Sequence, residues 1–504
     1  MNQKKIIRNT SFLYMRMLLS MFIGLYTSRV VLKNLGIEDY GIYNVIAGFV
    51  TMFSMLNFNL ASQRFIAFAL GQDDKERVQQ ITSSFNFINI VIVILFLLVA
   101  ESLGLWFFEN KLVIPTSRMN AAFWTYQLAI ISFIVLLYSS TYVSIIIAYE
   151  KMQAFAYISI VECILKLMVA LLLTFYTNDK LIIYAIFLFI AQLICQSFYL
   201  IYCKYNIGIK VLSFVRDISL LKEILSFSSW LSLTGVVVML STQGLNILLN
   251  IFFGPVINAA RGIAVQVQSS VQSFGYNFMQ AVNPQIVKSY AKRDIKTVHK
   301  LFLLSSKFGF LLLLLISLPI FLEANFLLNL WLGEVPCFTI IFLRIVLIWV
   351  LVSILSTPCT IAIQATGKIK KYQLAETLFL TLIFLFSWIL LKYGAPPESV
   401  FIVSLIVECI LLCVRLIIVL PLLSLQFSLY FKNVLLKLLG VSLPLISLAI
   451  IFHLYHNGTF LSFAALVLYI LILMPILTYW VGCSKSERKI VNEYTSNLIN
   501  KWKK

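Results

Sequence analysis

Fourteen long apolar runs separated by short polar turns leave this chain almost no freedom of fold class. They lie near 11–32, 40–66, 81–108, 119–147, 153–176, 181–203, 224–252, 255–286, 302–322, 336–364, 372–391, 397–420, 431–455 and 459–482. Crossing bilayer hydrocarbon takes about 20 apolar residues, and there only helices and closed barrels satisfy every backbone N–H and C=O. Unbroken apolar runs, rather than alternation, select the helix. The expected fold is therefore an all-α polytopic membrane protein with about 14 transmembrane helices. Composition agrees, with 61% hydrophobic and 12% charged residues, where a soluble domain carries about a quarter charged. The longest connections, 204–223, 287–301 and 323–335, are too short for a folded domain.

Lys4, Lys5 and Arg8 precede the first run as in a secretory signal, but the run is long and no small-residue cleavage site follows it. It reads as an uncleaved first span. With both ends cytoplasmic, the inner segments hold 26 Lys and Arg and the outer loops five: Lys33, Lys111, Arg118, Lys180 and Lys392. That bias fixes the expected orientation. Topology plus attraction to anionic inner-leaflet lipid accounts for the net charge of +19, so no nucleic-acid partner is expected.

The remaining eight basic residues lie inside the runs: Arg16, Arg29, Arg64, Lys166, Arg261, Lys307, Arg344 and Arg415. Each costs about 2.5–3.5 kcal/mol at mid-bilayer unless it meets water or a partner. Arg64, Lys307 and Arg415 lie within about two turns of the cytoplasmic ends, where snorkelling to headgroups accounts for them. Lys166 has Glu162 one turn earlier, at ion-pair spacing. Arg16, Arg29, Arg261 and Arg344 have no acidic neighbour on their own helix and are expected to face a wet cavity. At 100° per residue, Arg16, Ser20 and Thr27 share one side of the first helix, and Arg29 points away from it. In "PVINAARGIAVQVQSSVQSFGYNFMQAVNPQ", Asn258, Arg261, Gln268, Gln272 and Asn283 form one polar side, and the seventh span adds Gln243, Asn246 and Asn250. Such amides line a wet interior or join helices by hydrogen bonds.

An internal repeat follows. "LGIEDYGIYNVIAGF" opens the second span and "FGPVINAARGIAVQV" the eighth, each followed by a long span and a charged inner loop. Gly36 answers Gly254, Asp73 answers Asp294, and Lys75 answers Lys296. Parallel repeats of this kind build two-lobed transporters around a central site.

The N-terminal basic cluster, "RVVLKNLGIEDYGIYNVIAGF", "LASQRFIAFALGQDD" and "FGPVINAARGIA" together resemble the bacterial polysaccharide flippases, the Wzx-type O-antigen and capsule-repeat translocases. Those share a superfamily with lipid II flippases and multidrug and toxin extruders. The resemblance covers essentially the whole chain and is most specific in the first 80 residues. It implies two six-helix lobes in pseudo-two-fold arrangement: 1–204 (spans 1–6) and 224–420 (spans 7–12), a cytoplasmic linker at 205–223, and an extra helix pair and tail at 421–504. It also implies residence in the bacterial inner membrane. The implied cargo is an undecaprenyl-diphosphate-linked oligosaccharide, moved from inner to outer leaflet by alternating access, with membrane lipid, a polysaccharide polymerase and chain-length proteins as partners. Arginine suits diphosphate oxygens, so Arg16, Arg29, Lys166, Arg261 and Arg344 are the candidate cationic cavity. Gln243, Asn246, Asn250, Asn258, Gln268 and Gln272 are the candidate glycan contacts, and Glu162 and Glu408 the candidate coupling carboxylates.

A lipid II flippase and a multidrug cation antiporter are the alternatives. The antiporter needs acidic residues in its cavity, and the only span carboxylates are Glu101, Glu162, Glu376 and Glu408. An enzyme is not expected. There is no sizeable outer loop and no nucleotide fingerprint, and His299, His453, His456 and the eight cysteines form no ligand-like spacing, so neither cofactor nor metal is expected.

Overall fold

The computed structural model describes residues 3–53, 58–72, 74–149, 151–177, 179–209, 218–366, 370–455, 459–485, 487–489 and 492, with the side chains of 3–17, 60, 71, 226–234, 280, 281, 284, 288 and 291 outside that description. The described elements are all helical: α1 (Gln3–Thr51), α2 (Asn59–Gly71), α3 (Lys75–Val99), α4 (Leu105–Asn110), α5 (Met119–Ala148), α6 (Met152–Leu172), α7 (Lys180–Tyr202), α8 (Ile218–Met239) and α9 (Leu245–Phe253). They continue as α10 (Pro255–Ala291), α11 (Ile295–Leu322), α12 (Ala324–Leu332), α13 (Thr339–Thr366), α14 (Lys370–Lys392), α15 (Ser399–Leu422), α16 (Phe427–Tyr430), α17 (Leu436–Leu454) and α18 (Phe460–Leu477). Each of the fourteen apolar runs coincides largely with helix among the described residues. Among the described residues, 11 helices are long and apolar enough to cross a membrane. The first, second and eighth runs are the ones left out, and they carry much of the amide, glycine and arginine noted above.

The first two runs form one helix, α1, bent at Gly36 (φ 79°, ψ 170°). The seventh and eighth runs meet at Gly254 (φ 78°, ψ −175°). The sequence repeat is thus a repeat of backbone conformation, at a positive φ that L side chains adopt only with strain. The charged loops repeat as well, one residue out of the expected register. Asp74 accepts from the Arg77 backbone N–H at 2.8 Å at the start of α3, as Asp294 accepts from Thr297 N–H at 3.1 Å at the start of α11. Asp73, the residue expected to answer Asp294, lies outside the described residues. The second run also departs from expectation, because α1 ends at Thr51 and α2 starts anew at Asn59.

The chain falls into two compact units, Met1–Gly262 with Trp388–Pro397, and Ile263–Ser387 with Glu398–Lys504. This division by packing places α8 and α9 with the first six spans, a different cut from the linker at 205–223. In the first unit α1 packs on α6, α5 on α7, and α1 also meets α9. In the second, α13 packs on α11 and α15, and α17 and α18 both lie against α11. Two buried polar ties hold that last arrangement. Lys307 of α11 donates to both Glu487 oxygens (2.8 and 2.7 Å) and to the Gly482 carbonyl (3.0 Å). Glu323, 4% exposed at the far end of α11, meets His453 Nδ1 of α17 at 2.8 Å. Lys307 therefore does not snorkel; its ammonium is buried and pins the segment beyond α18.

Candidate functional site

In the first unit, the stretch of α1 beyond Gly36 is flanked by two adjoining cavities. One, of about 220 Å³, lies among α1, α5, α6 and α7, with Tyr43, Thr51, Thr125, Ser132, Lys166 and Gln192 on its wall. The other, of about 210 Å³, lies between the earlier part of α1, with Thr27 and Ser28, and Asn44, Cys163, Lys166 and Tyr184. Tyr43 and Lys166 line both. The Lys166 side chain is 47% exposed in the middle of its span, and its Nζ meets Glu162 at 2.6 Å. The pairing permitted by the spacing is therefore present. An anion entering either cavity meets Lys166 in competition with the Glu162 carboxylate. Tyr43 stands edge-on to Tyr184 with ring centroids 4.9 Å apart.

The face of α1 expected to carry Arg16 turns toward α6: Thr27 lines the second cavity, and Ser20 Oγ accepts from Cys163 Sγ at 3.2 Å. The side chain of Arg16 itself lies outside the described residues. Arg29 is exposed, on the other side of the helix.

Arg261 is held differently. Its Nη2 donates to the Thr242 carbonyl at 2.6 Å, inside a π-helical turn, Leu240–Gly244, that interrupts the seventh span between α8 and α9. Such a turn widens the ladder and frees a carbonyl to take an outside donor. Among the described residues no carboxylate pairs with Arg261. Gln243 belongs to the same turn and is half-buried. The neighbouring amides are buried and occupied. Asn258 donates to the Asn246 carbonyl (2.7 Å) and side-chain oxygen (2.8 Å), Asn246 donates to the Asn44 carbonyl (3.1 Å), and Asn250 Oδ1 accepts from Val113 N–H (2.9 Å). With exposures of 3%, 0% and 0%, Asn246, Asn250 and Asn258 act here as joints between helices rather than as an open sugar-binding face. The joint is close because α1 presents glycine to it: a Cβ at Gly41 would collide with the Pro255 carbonyl, and one at Gly48 with the Asn246 amide.

The second unit holds the remaining candidates. Gln268 and Gln272 are half-buried on α10, and Gln272 borders a small crevice with Tyr276, Ser353 and Thr357. Arg344 is exposed, with its guanidinium over the Phe321 ring at 5.6 Å and Nε donating to the Phe321 carbonyl at 3.3 Å. Arg415 contradicts the snorkelling expectation. It is 8% exposed and clamped by two carboxylates, Glu408 Oε1 and Glu376 Oε1, each at 2.8 Å. Ser356 donates to the same Glu408 oxygen at 3.1 Å. Glu408, a candidate coupling carboxylate, is committed to an internal ion pair in this conformation.

One further cluster was counted in the sequence only as outer-loop charge. Arg118, ahead of α5, donates Nε and Nη2 to Asp39 (both 2.7 Å) and Nη1 and Nη2 to Asp179 (both 2.9 Å), tying the bend of α1 to the start of α7. Burial pushes the Asp39 carboxyl above its usual range, against the pull of Arg118.

The family profile "Polysaccharide biosynthesis protein" matches residues 6–289. Among solved structures, the chain is similar to an inward-facing multidrug-resistance MATE-family transporter of the MOP superfamily, at 13% identity and TM-score 0.66 over 80% of this chain and 94% of that one. It is also similar to a Pyrococcus furiosus MOP-superfamily transporter described as having a binding pocket of reversed polarity, at 14% identity and TM-score 0.60 over 84% and 96%. Curated protein sequences give no significant match. At such identities the structural likeness speaks for the fold, and it is the MATE fold. The family match runs through both cavities, the Arg118 clasp and the π-helical turn with its arginine, and it covers more than half of the chain; the protein belongs to the polysaccharide biosynthesis protein family.

Proposed function

We propose that this chain carries an undecaprenyl-diphosphate-linked oligosaccharide from the inner to the outer leaflet of the bacterial cytoplasmic membrane, for assembly of a surface polysaccharide such as O-antigen or capsule. The observation that carries the reading is Arg261: a guanidinium within the eighth span, about two turns from its start, held by a π-turn carbonyl and, among the described residues, without a carboxylate partner. An uncompensated charge in a membrane is costly, and it is kept where it serves a ligand of opposite sign. A diphosphate supplies that sign and the planar oxygen pairs a guanidinium recognises. Gln243, Gln268 and Gln272 are accessible amides suited to sugar hydroxyls. A cationic drug is the poorer fit, because Glu162 and Glu408 are each already joined to a basic side chain. Alternating access then follows from two lobes, 1–204 and 224–420, bridged by 205–223, with the pair at 421–504 outside them and both termini cytoplasmic.

The test replaces Arg261. In a strain whose surface polysaccharide depends on this protein, Arg261→Ala abolishes export while the protein stays folded in the membrane, and Arg261→Lys keeps part of it. Export unchanged in Arg261→Ala would end the proposal.

A further inference from the structure

Helices α17 and α18 meet closely at one end. A π-helical turn, Thr478–Gly482, closes α18, and it lies against α17 through two glycines: a Cβ at Gly440 would sit 2.8 Å from Val481 Cγ1, and one at Gly482 3.2 Å from Val441 Cγ2. Lys437 precedes Gly440 and Val441 by three and four residues, so it shares the side of α17 that faces this turn. By alternation of spans, the start of the thirteenth span and the end of the fourteenth lie on one side of the membrane, the side that the basic bias assigns to the cytoplasm.

The seam collects more positive charge than it pairs. Lys307 of α11 and Arg488, beyond the turn, act on the Lys437 ammonium with like charge, and among the described residues Glu487 is the carboxylate that acts on it. Both Glu487 oxygens are already spent on Lys307, and one also accepts from the Ser484 N–H at 2.6 Å. Arg488 is steadied by donating Nη2 to the Trp480 carbonyl and by lying over the Tyr479 and Trp480 rings. Lys437 is half-buried, and among the described residues it has neither a hydrogen-bond nor an ion-pair partner. A partly buried ammonium beside two other cations is costly unless an anion from outside joins it. The surrounding surface is apolar: Leu436, Leu439 and Trp480 are exposed, which suits acyl chains with an aromatic ring at headgroup level.

We infer that this seam binds the phosphate headgroup of an anionic phospholipid of the cytoplasmic leaflet, with Lys437 as its principal ligand and Arg488 as a second positive charge beside it. Basic pockets between spans on the cytoplasmic side hold lipid phosphate in this manner. A lipid is the fitting source of the phosphate, because the exposed leucines and tryptophan offer its chains an apolar wall that a free ion does not use. Such a site serves the protein whatever cargo it carries.

The experiment measures lipid retained on the purified full-length chain by native mass spectrometry, with phosphatidylglycerol, zwitterionic phosphatidylcholine and inorganic phosphate as separate probes. It contains no transport step, so its failure and that of the flippase reading are distinguishable. The native chain should retain phosphatidylglycerol in preference to phosphatidylcholine. Lys437→Gln should bind phosphatidylglycerol about tenfold more weakly, the loss expected for one charge-assisted bond, and Lys437→Arg should keep most of the binding. Lys432→Gln, which removes an exposed lysine from the neighbouring turn Phe431–Leu435, should leave retention unchanged. Thermal unfolding in lipid-free detergent supplies the second measurement: Lys437→Gln should melt at or above the native chain, because it removes a repelled charge, and added phosphatidylglycerol should raise the native melting temperature more than the variant's. A variant that melts well below the native chain would show that Lys437 has an internal partner and would overturn the inference. Equal retention by the native and Lys437→Gln chains also overturns it, as does an equal loss in Lys432→Gln, or stabilisation by inorganic phosphate with no lipid retained.

Discussion

Arg118 and Arg415 are the same device in two settings: one guanidinium gripped by two carboxylates. At the bend of α1, Arg118, Asp39 and Asp179 have side chains 25%, 15% and 33% exposed. In the second unit, Arg415, Glu408 and Glu376 have side chains 9%, 5% and 22% exposed. Geometry barely differs, with closest contacts of 2.7–2.9 Å in both. What differs is the cost of losing a partner. Near water, an orphaned carboxylate is rehydrated and little is lost. Inside the membrane, it is stranded. Arg261 completes the series as a charge with no carboxylate partner among the described residues. Pairing within the protein thus separates charges that hold the fold from those, like Arg261, that the proposed function assigns to a ligand.

The largest expected effect tests the buried clamp. Arg415→Ala should lower stability by about 3–5 kcal/mol, because Glu408 is left charged and unpaired in a dry site. Thermal unfolding in detergent measures it, and the double variant Arg415→Met/Glu408→Gln should recover much of the loss, since it removes the stranded charge along with the arginine. A stable Arg415→Ala single variant would mean that water reaches the site and that the contrast with Arg118 is false.

How far this contrast was legible in the sequence depends on where the partners lie. Lys166 was readable because Glu162 is one turn away on the same helix. Glu408 is seven residues before Arg415, two turns along the same face, so half of that clamp is legible on a helical wheel, while nearness to the membrane edge points to snorkelling instead. Glu376 comes from another helix, and Glu487, the partner of Lys307, is 180 residues distant, so no local pattern announces either. The amide seam was misjudged for a related reason. Periodicity places Asn246, Asn250 and Asn258 on helix faces but is silent on whether the neighbour is a sugar or a backbone carbonyl. The spans themselves and the Gly36 and Gly254 bends were readable, since apolar length and a glycine before a helix start are local signals.

A middle-sized effect checks the repeat that frames the two settings. Gly36→Ala and Gly254→Ala should each destabilise by about 1–2 kcal/mol through the forced positive φ alone. Neither site crowds a Cβ: at Gly36 nothing lies within 4 Å, and at Gly254 only the Val113 side chain does, at 3.8 Å. Equal penalties measured by thermal unfolding support conformation as the shared cause. A penalty at one site only would show that the repeat is not one of backbone strain.

The smallest effects belong to the exposed end of the series. Arg118→Ala should cost about 0.2–1 kcal/mol for each ion pair lost, far below Arg415→Ala. Two carboxylates near opposite faces should then respond to acid with opposite sign. Asp39 has its pKa raised by burial, so the folded state holds its proton more tightly than the unfolded chain does, and this contribution is present below the ordinary aspartate range and fades as pH rises through the raised value. Asp294 has its pKa lowered, first by its hydrogen bonds from Thr297, so its contribution is present above the ordinary range and is lost as pH falls through the lowered value. Melting temperature followed through the acidic range should therefore shift one way in Asp39→Asn and the other in Asp294→Asn, relative to the native chain. A shift of the same sign in both would show that Asp39 behaves as an ordinary ion-paired carboxylate, and that burial at the outer clasp is too slight to set it apart from open surface.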